Sequence, residues 1–274
     1  MANSFLSRII IIQSLGVDEP PTGRQLRDAI ESIAKFNHGV AVELIEARSA
    51  RDVLKAIDDI QVDVEITKSY PVLHIECHGL ADKSGLFMGD ESTLTWAELK
   101  PALVKLNQTT RCHLLVTLAA CHGGYLVDTL DVSLRAPCWG ILGPSDAVSS
   151  VDLVSSYSAF FLDLLESGNP NTAFTSLKNA PMSTGHYFFR TAEENFKEVF
   201  QLYRAAEKVE RDDRLKRFSA SFKRHGPLSE DWVSNALNDS EQDNLKQFYR
   251  QYFFVDMFPE NQQRFIDGYL ALAR

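Results

Sequence analysis

The chain has 274 residues, 45% of them hydrophobic, enough for one large α/β core or a core with an appended subdomain. Its 28 basic and 37 acidic side chains leave a formal charge of −9, which argues against general nucleic-acid binding, because neutralising phosphates needs a basic surface. The apolar run after Met1–Arg8 covers only Ile9–Ile12, far short of the roughly 20 residues of a membrane span, and it lacks a signal-peptide core and cleavage site.

In chain order, Arg8–Leu15 reads as a first strand, because a continuous β-branched run suits a strand buried on both faces. Gly16–Gly23, with two prolines and two glycines, is a loop. Arg24–Phe36 places Leu26, Ile30 and Ile33 on one helical stripe. Val40–Ile45 is a second strand, and Ser49 caps a helix through Asp58 with Asp52 in its first turn. Pro71–His78 is the third strand, followed by a small hairpin over residues 85–94. Thr95 and Glu98 form a capping box for a helix through Leu106, with Pro101 inside it. Cys112–Ala120 and Cys138–Leu142 are the fourth and fifth strands. Val151–Glu166 and Thr172–Asn179 are helices, and residues 187–189 form a short last strand.

This alternation predicts βαβ units around a mostly parallel sheet with helices on both faces. From Glu193 the pattern becomes helical to about Arg211, then charged over Arg211–Arg224, then rich in aromatics from Trp232 to Tyr269. Two domains are therefore expected, 1–192 and a helical extension, 193–274. The aromatics of the extension would form their own core or pack on the sheet.

Two strand-like runs end on chemistry. Val72–Gly79 ends in His78-Gly79, and Leu114–Gly124 ends in Cys121-His122-Gly123-Gly124. In a parallel sheet, strand ends face solvent at one edge, which is where a thiol nucleophile and an imidazole base must meet. Glycines after Cys121 allow a tight turn and close approach of a substrate backbone, and the turn amides there can donate to an oxyanion. His122 is adjacent to the thiol, which directs its side chain elsewhere. His74 lies about 13 Å back along the strand and reads as a structural histidine, with Glu76 on the same face to orient an imidazole. The cysteines, Cys77, Cys112, Cys121 and Cys138, show no disulfide-framework spacing, so free thiols in a reducing cytoplasm are expected. The sequence contains no GxSxG, P-loop, GxGxxG or HExxH.

The residues "PVLHIECHG", "GLFMGDESTLTWAEL" and "LLVTLAACHGG", continued by "CWGILGPSDAV", "AFFLDLLESGN" and "AFTSLKNA", resemble the CHAT family of caspase-like cysteine peptidases. The resemblance spans roughly Pro71 to Ala180. It implies a caspase-like three-layer sandwich with a mostly parallel central sheet, here followed by the C-terminal helical extension. By it, His78 and Cys121 are the catalytic pair of a cysteine endopeptidase, and Gly79, His122 and Gly123 supply the oxyanion hole. No metal or organic cofactor enters that chemistry. Clan members with acidic S1 pockets cut after Arg or Lys, which makes Asp146, just beyond the fifth strand, the candidate S1 residue; its other reading is a cap for the next helix. The partners implied are a protein substrate, such as a gasdermin-like pore former in a bacterial defence or cell-death system, and an activating protein. A different reading stays open: a catalytically silent caspase-like protein that binds a partner through its aromatic helices.

Overall fold

A computed structural model describes residues 6–202, 204 and 243–266. These divide into two compact units, Met1–Leu130 with Pro137–Thr191, and Asp131–Ala136 with Ala192–Arg274.

The first unit is an α/β fold around a six-stranded sheet of order β2-β1-β3-β7-β8-β9. The strands are β1 (Arg8–Gln13), β2 (Ala41–Glu46), β3 (Pro71–Glu76), β7 (Leu115–Ala119), β8 (Gly140–Pro144) and β9 (Tyr187–Thr191). All neighbours run parallel except β9, which is antiparallel to β8. The isoleucine run of β1 explains its place inside the sheet. Ile10 and Ile12 face a core with helices α2 (Ala50–Thr67) and α3 (Trp96–Thr109). Ile9 and Ile11 face a second core with α1 (Thr22–His38), α4 (Ser150–Ser167) and α5 (Pro170–Lys178). Each of these side chains is fully buried, worth about 1.5–3 kcal/mol apiece in transfer energy.

Local signals set most boundaries. Ser49 with Asp52, and Thr95 with Glu98, form complete capping boxes, and the second keeps the start of α3 at Trp96 despite Pro101. Helix α2 outruns its expected end at Asp58 because Ile60 and Val64 prolong the buried stripe of Val53, Ala56 and Ile57. β7 begins after the expected Cys112 because Arg111 and Cys112 take left-handed φ of 53° and 62°.

The third strand is shorter than its sequence suggests. β3 stops at Glu76, Cys77 makes the bend, and His78–Gly79 form β4, the edge of a separate antiparallel sheet with β5 (Gly85–Phe87) and β6 (Thr93–Thr95). Its neighbour β7 ends at Ala119, so the ladder that holds β3 runs out there. After Cys121 the chain turns into a 3-10 helix, Gly123–Thr129, which the sequence reading does not contain.

The second unit includes helices α6 (192–202), α7 (243–252) and α8 (Asn261–Arg264). Its aromatics pack on one another. Phe196 stacks with Phe200 at 5.8 Å and lies against Tyr249, Tyr252 and Phe253, while Phe253 stacks with Phe265 at 4.5 Å. Asp131–Ala136, expected in the first domain, belongs here: Arg135 pairs with both carboxylate oxygens of Asp256 at 2.9 and 2.6 Å and covers the Phe254 ring. The charged stretch Arg211–Arg224, Trp232 and Tyr269 lie outside the described residues. No described helix is long and apolar enough to cross a membrane.

Candidate active site

Strands β3 and β7 lie side by side and end together, Glu76 opposite Ala119. Beyond the last pair the Cys77 amide still donates to the Ala119 carbonyl at 3.3 Å. The next residues on each side are the two sequence motifs, and they touch. A Cβ placed on Gly79 would lie 1.6 Å from the Cys121 carbonyl oxygen, so no other residue fits at position 79 with this backbone. The topology thus brings His78-Gly79 and Cys121 to one corner at the carboxyl end of the parallel strands, where open α/β sheets place their ligands.

Cys121 is the only cysteine of the chain that is not buried. Burial pushes the Cys77 and Cys138 thiols well above the ordinary range, which leaves them inert. The Cys121 thiol accepts the Val148 N–H at 3.5 Å and donates to the Val148 carbonyl at 3.8 Å. No hydrogen bond joins Sγ to the His78 imidazole.

Of the three expected oxyanion donors, two are already engaged by backbone carbonyls. The His122 N–H donates to the Asp146 carbonyl at 3.3 Å, and the Gly123 N–H donates to the Ala120 carbonyl at 2.9 Å. The cause is local: His122 adopts a left-handed φ of 58°, which closes the turn and folds these amides inward. Gly79 differs. The Leu80 N–H donates to Gly85 at 3.0 Å, so bonding alternates along the β4–β5 ladder to His78/Phe87, and the Gly79 amide points away from β5. The Cys121 N–H has no hydrogen-bond partner among the described residues.

The His78 imidazole is half-exposed, and its Nε2 lies 2.7 Å from Oε1 of Glu19, a residue of the β1–α1 loop 59 positions away. Glu19 is the largest omission of the sequence reading. His74 takes the structural role expected of it. It is fully buried, with Nδ1 2.7 Å from Thr117 Oγ1 and Nε2 2.9 Å from Glu76 Oε2. The hydroxyl of Thr22 donates to the other Glu76 oxygen at 2.5 Å.

Asp146 is exposed and does not cap α4, since Ser149 accepts the Asp152 N–H in that role. Its Oδ1 accepts the Ala147 N–H at 2.8 Å, and this bond, with the nearby His186 and His122, holds its carboxyl below the usual range. The segment 146–148 nonetheless walls the thiol, through the Asp146 carbonyl on His122 and through Val148 on Sγ. Among the described residues, no three His, Cys, Asp or Glu side chains converge as a metal ion requires.

Neither a protein-family model nor a curated protein matches this sequence.

Proposed function

We propose that this protein is a cysteine endopeptidase of caspase-like fold, with Cys121 as nucleophile and His78 as general base and acid. The observation that carries the reading is the corner itself. The only accessible thiol belongs to Cys121, just past the end of β7, whose backbone lies against Gly79, the glycine that follows an imidazole just past the end of β3. The sheet order, with five parallel strands and an antiparallel sixth, agrees with the fold that the resemblance implies.

In this reading the thiol leaves Val148, gives its proton to His78 and attacks the scissile carbonyl carbon. The amides of Gly79 and Cys121, rather than those of His122 and Gly123, donate to the resulting oxyanion. His78 then protonates the leaving amine as the C–N bond breaks. Water attacks the thioester, giving its proton to His78 and releasing the carboxylic acid with the thiol restored. Asp146 supplies negative charge for a P1 Arg. The substrate is a protein partner in the cytoplasm, and a gasdermin-like pore former in a bacterial defence system, with a separate activating protein, follows from the resemblance alone.

Cys121→Ala removes one small side chain and is expected to abolish cleavage while keeping the fold. A variant that cuts the partner at the wild-type rate refutes the assignment. One observation favours the catalytically silent interaction protein: the thiol is bonded to Val148 rather than to an imidazole. Alkylation of Cys121 against pH, compared with a cysteine in a short free peptide and run with and without the partner present, separates the two readings: burial alone makes Cys121 the fastest of the four thiols, but a silent module leaves it with the rate and pH profile of an ordinary exposed thiol in both conditions.

A further inference from the structure

We infer that Glu19 is a positioning residue of this site: its carboxylate fixes His78 through Nε2 and leaves Nδ1 as the nitrogen that exchanges a proton with Cys121. The inference rests on the His78–Cys121 reading above and assigns a third member to it.

The loop fixes the Glu19 side chain through its own turn. Glu19 Oε2 accepts the Gly16 N–H at 2.6 Å, and the Glu19 N–H returns a bond to the Gly16 carbonyl at 3.2 Å, closing a tight bracket. That leaves Oε1 aimed at the imidazole. The bracket is anchored on both sides. The Ser14 N–H donates to the Glu76 carbonyl at 2.7 Å, and Thr22 bonds the Glu76 side chain. The hairpin presses on it from above: a Cβ on Gly89 would lie 2.4 Å from the Leu15 carbonyl oxygen. Glu19 does not cap α1, whose N-cap is Pro21 with no side-chain bond. An ion pair this exposed contributes little to stability, so a stability role does not account for the construction.

The chemistry follows from which atoms can donate. The Gly16 amide, with the His78 contact, holds the Glu19 carboxyl below its ordinary range, so the side chain is anionic and only accepts. In the neutral ring Nε2 therefore carries the hydrogen, and Nδ1 keeps the lone pair. Nδ1 makes no hydrogen bond among the described residues. The charged and aromatic groups around the ring are Glu19, from the β1–α1 loop, and Phe87, from β5, with ring centroids 6.5 Å apart; no other charged side chain among the described residues bonds to it. When Nδ1 takes the Sγ proton, the ring becomes a cation beside a fixed carboxylate. When Nδ1 gives that proton to the leaving amine, the ring returns to the same tautomer, ready for the attacking water. Glutamine at 19 can instead present its NH2 to Nε2, select the other tautomer and make Nδ1 a donor that cannot accept.

The experiment uses the full chain and a neutral reagent, iodoacetamide, with mass spectrometry of the Cys121 peptide from pH 5 to 9. The sign is diagnostic. Removing a negative charge that acts directly on the thiol would favour thiolate and speed alkylation, whereas removing the partner of the imidazolium slows it. Glu19→Gln is expected to slow Cys121 alkylation about 10- to 100-fold near neutrality and to move the pH profile, with an unchanged urea midpoint. Glu19→Asp is expected to recover part of the rate, and serves if the glutamine variant folds poorly. A Glu19→Gln profile that superimposes on wild type, or lies above it, overturns the role of Glu19. If wild-type Cys121 reacts no faster than Cys77, Cys112 and Cys138, the reading of the site fails, and this inference with it.

Discussion

Within one run of chain, His74 and His78 each lie against a carboxylate at nearly the same distance, 2.9 Å to Glu76 and 2.7 Å to Glu19. The surroundings could hardly differ more. The side chains of the first pair are 0% and 3% exposed, and those of the second 46% and 39%. Both ring nitrogens of His74 are occupied, by Thr117 and Glu76, and the Tyr157 and Phe161 rings stand nearly perpendicular to it. Only Nε2 of His78 is occupied. A satisfied buried pair is a fixed piece of architecture, because any change leaves a polar group stranded at high cost. A half-satisfied exposed pair is cheap to break and has a nitrogen left for chemistry. The same two residue types thus meet in opposite surroundings, and the deciding variable is where the sheet ends.

The largest expected effect breaks the comparison directly. His74→Ala strands Glu76 inside the sheet and opens a cavity against Tyr157, and it is expected to lower stability by about 3–5 kcal/mol. His78→Ala is expected to cost less than about 1 kcal/mol while removing cleavage and slowing Cys121 alkylation. Urea unfolding of both variants, with alkylation rates alongside, gives the test. If His74→Ala costs as little as His78→Ala, the division into structural and chemical pairs is unfounded.

A second prediction extends the contrast to the thiols. Cys77 separates the two pairs in sequence, yet it is buried, with its thiol pushed well up by desolvation and by the neighbouring Glu76. In the native protein Cys121 is expected to react at least about 100-fold faster than Cys77 or Cys138, and the difference is expected to vanish in urea. A native Cys77 as reactive as Cys121 would mean that the strand end is open in solution.

How much of this was legible depends on how local each signal is. The Ser49 cap and the capping box of Thr95 and Glu98 are short local patterns with one satisfactory geometry, and the sequence reading places both; that Asp52 completes a second box is the structure's addition. The alternation of strands and helices likewise predicted the sheet, because each βαβ unit permits few arrangements. The corner formed by His78, Gly79 and Cys121 was anticipated from two motifs at strand ends. Glu19 was not, since 59 residues of intervening chain fold before it meets His78, and a Pro/Gly loop carries no period to read. The engagement of the His122 and Gly123 amides was not legible for a finer reason. Any turn amide after a nucleophile can be free or bonded, and the outcome here turns on one torsion, the positive φ of His122, which the sequence Cys-His-Gly-Gly does not announce. The attachment of Asp131–Ala136 to the second unit depends on Arg135 finding Asp256, again a distant pairing.

The smallest expected effect concerns Asp146, which sharpens the comparison by adding a third carboxylate near an imidazole. Its Oδ2 lies 3.7 Å from His186 Nδ1, with both side chains 61% exposed, so this pair is the loosest of the three. A loose, exposed carboxylate two residues before Val148, the partner of the thiol, is free to exchange His186 for a ligand cation. A guanidinium offers two parallel donors to a carboxylate where an ammonium offers one point charge, so Arg is expected to exceed Lys at P1 in a positional peptide library. Asp146→Asn keeps an oxygen for the Ala147 amide and removes only the charge, leaving the wall around Sγ in place. That variant is expected to lose roughly tenfold of the Arg preference while cutting neutral-P1 peptides at an unchanged rate. If both peptide classes fall together, Asp146 shapes the loop and does not read the substrate. If wild type prefers Asp or a small apolar residue at P1, the charge at 146 is no S1 determinant, and the wall around Cys121 must be read by shape alone.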